Sequence, residues 1–266
     1  MKDLKHLIYF ESLLENANNE LVQKAQAEGN LALGYTCYHV PEALLNVGNC
    51  FSVRLRAPNT GSIDIATYYM SNYTCEFARA LVERGIEGGY QFLDAMIGVD
   101  ACSMMNRAME HFEILKVNDK PNFFVTHCDI PYKITDYTLD SYVKQMRIHV
   151  LDKLTEVYGV DTSDAAIRQA VAEHNEVCSI VSEMAEMRKA ENPVITGYEF
   201  HVINLVTYVC PKALILPYLR ETLKELKKRK PDEKSPFRAR VAIVGSEIDD
   251  PDLTKLIEGC GALVVS

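Results

Sequence analysis

The chain has 266 residues, of which 48% are hydrophobic and 24% charged; that is enough apolar material for a sizeable core and too much for disorder. Its 28 Lys and Arg against 37 Asp and Glu give a formal net charge of −9, which argues against a general binder of nucleic acid or anionic membranes, since both need a cationic surface. No apolar run approaches the roughly 20 residues of a membrane-spanning helix. The polar N-terminus also lacks the unbroken apolar stretch of an export signal. The expectation is a cytoplasmic protein. Its eight cysteines are scattered with no tight pair, which speaks against a disulfide framework.

Residues 3–28 read as one amphipathic helix stopped by Gly29. A strand follows at 31–38. Pro41 and Glu42 open a short helix, 43–47, that Gly48 ends. Residues 51–55 alternate as a strand, and the loop 57–62 is rich in turn formers. The helical pattern resumes at 65–85 with Cys75 inside it. Residues 92–99 read as a buried strand, Cys102 opens the next helix, and 122–127 form another strand. This alternation points to an α/β fold with a parallel sheet covered by helices on both faces.

The middle of the chain reads as four helices, at 140–157, 163–190, 198–208 and 213–229. The charged stretch KKRKPDEKSP looks like a linker. A strand at 240–244, a Gly245-Ser246 turn, a helix at 252–258 and a strand at 262–265 begin a second α/β unit. Two parallel strands cannot cover their own faces. They therefore either join the first sheet or begin a domain that continues in a longer protein, the second being the expectation.

Cys102 falls just past a strand at a helix N-terminus, where the dipole and free N–H groups favour a thiolate. Cys128 follows the next strand in the same way, and Cys75 belongs to the same α/β unit. Thiolates from separated loops can hold an iron–sulfur centre; the alternative is ordinary buried cysteines. His39, between a strand and a helix N-terminus, is a candidate general acid or base, or else a surface histidine. Asp129 reads first as a turn cap. The Gly245-Ser246 turn lacks a phosphate-binding fingerprint, and no G-x-S-x-G or H-E-x-x-H motif occurs.

A set of short stretches then takes on meaning by its order: VPEALLNVG at 40–48 with Val53-Arg54-Leu55, TCEFAR at 74–79, Phe92-Leu93-Asp94 leading to Ala101-Cys102 and Arg107, Cys128-Asp129-Ile130-Pro131, PVITGYE at 193–199, and RVAIVGS at 240–246. Together they make the chain similar to the 2-hydroxyacyl-CoA dehydratase and benzoyl-CoA reductase subunit family. The resemblance implies Rossmann-like α/β domains joined by helices. It also implies a 4Fe-4S cluster held by three cysteines per subunit, a related second subunit or a homodimer, and an ATP-hydrolysing iron–sulfur activator that supplies one electron.

On that resemblance Cys75 and Cys102 are the first two cluster ligands, and FMN is a further cofactor to consider. The third ligand belongs after the strand at 262–265, where the sequence stops. The implied chemistry is loss of water from, or reduction of, an acyl-CoA thioester through a ketyl radical. A scaffold subunit without a cluster and a double-cubane-type reductase are the alternatives. The expected organisation is an N-terminal helix (1–30), a first α/β domain (31–135), a helical segment and linker (136–234) and the incomplete start of a second α/β domain (235–266).

Overall fold

The structure, a computed structural model, describes residues 3–58, 60–233, 236–245 and 248–266. Asn59, two residues of the charged linker (234 and 235) and Ser246 of the Gly245-Ser246 turn lie outside the described residues. The chain divides into two compact units, one of residues 17–172 and one of residues 1–16 with 173–266.

The first unit is built on four parallel strands, β1 (Leu31–Tyr35), β2 (Cys50–Arg54), β3 (Ala95–Val99) and β4 (Phe124–Cys128), in the order β2-β1-β3-β4. Leu31 pairs with Cys50 and Tyr35 with Arg54, while Val99 pairs with Cys128. β1, β2 and β3 are buried along almost their whole length, as parallel strands between helical layers must be. Leu33, Ile97, Val150, Leu151 and Leu154 are almost fully buried in one core cluster. Each such side chain contributes about 1.5–3 kcal/mol by leaving water.

The helix expected at 3–28 is two helices, α1 (Leu7–Leu14) and α2 (Glu20–Ala27). The apolar stripe runs through both, but Asn19 is extended and its carboxamide accepts the N–H groups of Leu21 and Val22, each at 3.1 Å. That cap restarts the helix and separates α1, which belongs to the second unit, from α2, which belongs to the first. Replacing Asn19 with alanine is expected to cost about 1 kcal/mol of stability, read as a lower urea midpoint at unchanged slope.

The short helix expected at 43–47 is a 3₁₀ turn, Glu42–Asn46. The helix expected at 65–85 is also two, α3 (Asp64–Tyr69) and α4 (Glu76–Ile86). Cys75 is therefore not inside a helix; it is the residue that begins α4. α5 (Ser103–Ile114) follows β3 as expected. α6 (Asp136–Met146) begins four residues before the expected start and passes through a π turn (Arg147–Leu151) into α7 (Asp152–Tyr158). Gly159 ends α7 at φ 67°, the left-handed conformation that glycine adopts without strain.

α8 (Asp164–Met187) carries the chain from the first unit into the second. There α9 (Gly197–Val209) packs against α1, α10 (Lys212–Leu226) and α11 (Pro251–Gly259). β5 (Ala239–Val241) and β6 (Ala262–Val264) form a separate parallel pair. No helix among the described residues is long and apolar enough to cross a membrane.

Candidate functional site

β1 has β2 on one side and β3 on the other, so connections leave the middle of the sheet in opposite directions. Open α/β sheets bind ligands at such a switch point, beyond the carboxyl ends of the strands. α4 and α5 each return the chain to the start of a parallel strand, so both run antiparallel to the sheet, and they pack against each other. Their N-termini therefore open on the carboxyl edge. Cys75 is the residue preceding α4 and Cys102 the residue preceding α5. Both are exposed, and neither side chain caps its own helix. Topology thus brings two uncommitted thiols to one edge of one sheet, each beside the positive end of a helix.

The rest of that edge is polar and partly buried. Arg54, the last residue of β2, is fully buried and lies 5.1 Å from the centre of the half-exposed Tyr38 ring. Glu42, in the 3₁₀ turn after β1, is 8% exposed and accepts the Ser52 hydroxyl at 2.9 Å. Asn46 fixes Ser52 from the other side, accepting its N–H at 3.2 Å and donating to its hydroxyl at 3.0 Å. Burial and then the Glu42 carboxylate push the Tyr35 hydroxyl well above its ordinary range, against the pull of Arg54.

The sequence matches the family described as 2-hydroxyglutaryl-CoA dehydratase, D-component, over residues 37–266. The chain belongs to this family.

Among curated relatives it is 20% identical over 250 residues to the (R)-phenyllactyl-CoA dehydratase beta subunit of Clostridium sporogenes, covering 94% of this chain and 65% of the relative. It is 20% identical over 241 residues to a benzoyl-CoA reductase subunit of Thauera aromatica, covering 88% and 60%. It is 22% identical over 208 residues to the beta subunit of the (R)-2-hydroxyglutaryl-CoA dehydratase of Acidaminococcus fermentans, covering 77% and 54%. The chain thus spans less than two thirds of the length of each of these relatives.

Within this family member the other candidates stand as follows. Cys128 ends β4 and is fully buried; burial, then the charge of Asp100, pushes its thiol up to about 11. It is a protonated core residue at neutral pH, the alternative that the sequence left open for it. His39 is exposed on the turn after β1, and its carbonyl accepts the Tyr142 hydroxyl at 3.0 Å. Asp129 lines a small pocket with Pro131, Tyr137 and Tyr142.

Among the described residues no three His, Cys, Asp or Glu side chains gather closely enough to hold one metal ion. Iron–sulfur clusters are held by cysteine thiolates, and Cys75 and Cys102 are the exposed thiols at this edge.

Sequence reasoning passed over Glu42 and Arg54 as site residues. The available signals were a carboxylate in the connection between the first two strands and an arginine inside the alternating stretch FSVRL, where a buried position holds a charge.

Proposed function

We propose that this chain is an iron–sulfur subunit of a 2-hydroxyacyl-CoA dehydratase-like enzyme, with Cys75 and Cys102 as two ligands of a 4Fe-4S cluster. The observation that carries this reading is the pair of exposed, uncapped cysteines at the N-termini of the adjacent helices α4 and α5. When bound, the cluster would supply the acyl-CoA thioester with one electron received from an ATP-dependent activator; the ketyl radical anion would lose its 2-hydroxyl as hydroxide, the radical that remains would have a β-proton acidic enough to remove, and the electron would be recovered at the end. The chain's own part is to hold the ligands at the carboxyl edge and to move a proton at the His39 imidazole, which faces solvent on the first strand's turn.

Two further facts support the reading. Relatives carry the names of beta subunits, in keeping with a partner subunit here. Tyr73 and Tyr132, on the connections before α4 and after β4, are almost fully exposed. Aromatic side chains of this kind suit a surface that a partner or a thioester covers.

The test is anaerobic loading of the chain with ferrous iron and sulfide, in the presence of its co-expressed partner. Wild type is expected to turn brown, and Cys75→Ser and Cys102→Ser are each expected to lose most of their iron and sulfide with the circular dichroism spectrum unchanged, because both side chains are exposed. Equal metal content in wild type and both variants overturns the ligand assignment. Absence of iron from the loaded wild type leaves the scaffold reading in its place, and a doubled iron content points to the double-cubane reductase.

A further inference from the structure

The second unit has a cavity of its own, of about 260 Å³, at the carboxyl ends of β5 and β6. Arg188, just after α8, enters it with its guanidinium 3.8 Å from the centre of the Phe200 ring. The guanidinium Nε is buried and has no hydrogen-bond partner among the described residues. A guanidinium offers five donors in a planar fork, and a buried donor left unmade is costly.

The nearest acid does not answer this need. Burial disfavours the charged form of Arg188 and Glu258 offsets this only in part, because its carboxylate accepts the N–H groups of Gly197 at 2.8 Å, Tyr198 at 3.1 Å and Val264 at 3.1 Å. His201 adds no anion either. Its Nε2 donates to the Ile248 carbonyl at 3.0 Å, which leaves Nδ1 to accept the Thr254 hydroxyl at 2.9 Å in the neutral ring. The rest of the wall includes the Asn204 carboxamide, Thr254, Ser266, Ile243 and Ile248.

We propose that this cavity binds a small oxyanion, a carboxylate or phosphoryl group, on the Arg188 fork, with its apolar body against Phe200, Ile243 and Ile248. Two oxygens of a carboxylate or a phosphoryl group match the fork with two parallel charge-assisted hydrogen bonds, and the aromatic ring holds the fork flat. The cavity's place also fits, since parallel sheets receive ligands beyond their carboxyl ends. The proposal does not rest on the iron–sulfur reading, because none of these residues belongs to that site.

The test is a titration of the ¹⁵N-labelled chain, followed at the arginine Nε–Hε and asparagine amide signals, with inorganic phosphate and separately with butyrate at constant ionic strength. The Arg188 signal, assigned by its absence from Arg188→Met, is expected to shift saturably. Saturation with phosphate alone identifies a phosphoryl site, with butyrate alone a carboxylate site, and with both a general oxyanion site.

By calorimetry Arg188→Met is expected to bind at least about tenfold more weakly, the loss of one charge-assisted hydrogen bond. Asn204→Leu, which leaves Arg188 stacked, is also expected to bind more weakly and decides the matter if the arginine variant does not fold. No saturable shift from either anion, or unchanged affinity in the variants, overturns the proposal.

Discussion

Replacing Gly197 with alanine is expected to destabilise the second unit by about 3 kcal/mol, at the upper end of the usual cost of overpacking. Gly197 is the first residue of α9, and it sits where that helix meets β6. An added Cβ would collide with the Val264 carbonyl oxygen and stand 2.7 Å from Glu258 Oε1. The first obstacle is backbone and cannot rotate aside. The second is the carboxylate that gathers three backbone N–H groups, so moving it strands several hydrogen bonds at once.

The measurement is thermal and urea unfolding, with a midpoint lower by roughly 5–10 °C. Gly259→Ala is the control. Gly259 lies in α11 with nothing within 4 Å of an added Cβ, and alanine there is expected to stabilise by about 0.5–1 kcal/mol. A Gly197→Ala protein that melts like wild type would mean that α9 and β6 are not in close contact.

Iodoacetamide at pH 8 is expected to modify Cys75 and Cys102 at least about a thousandfold faster than Cys50, because only the thiolate reacts. Cys50, at the start of β2, is 7% exposed. Burial, then the charge of Asp94, pushes its thiol up to about 12. At pH 8 its thiolate fraction is about 10⁻⁴, against about a tenth for a thiol at the ordinary value of 9.0. Mass spectrometry of timed samples separates the sites, and labelling of Cys50 at the rate of Cys75 in the folded chain would refute the burial argument.

The same shift has a thermodynamic sign. Folded Cys50 keeps its proton when the unfolded chain has lost it, so it leaves stability untouched below about pH 8. Between the unfolded value of 9.0 and the folded value of about 12, stability falls by about 1.4 kcal/mol for each unit of rising pH.

The order of strands and helices was legible because a parallel sheet buries its strands as continuous apolar runs, and those of 31–35 and 95–99 stand out between turn formers. The division at Cys75 was not, because the apolar spacing continues across it. What interrupts the helix is the turn at residues 71–74, closed by the Thr74 N–H on the Ser71 carbonyl at 2.9 Å, which leaves the hydrophobic count undisturbed. Asn19 hid the break between α1 and α2 for the same reason.

The site was legible in part. Cys102 could be placed at a helix N-terminus by its position after a strand, whereas the buried grouping of Tyr35, Glu42 and Ser52 depends on register between β1 and β2, which no single stretch of sequence contains.

The π turn at Arg147–Leu151 sets the angular phase of the helix on either side of it. It lodges one residue beyond α geometry, which rotates everything downstream by about 100°. Tyr142, upstream, reaches the His39 carbonyl, while Leu154, downstream, is fully buried under the sheet. A helix one residue shorter would merge the two phases and turn one of these side chains away from its target. Exchange of single side chains along this segment is therefore tolerable where deletion of a single residue is not.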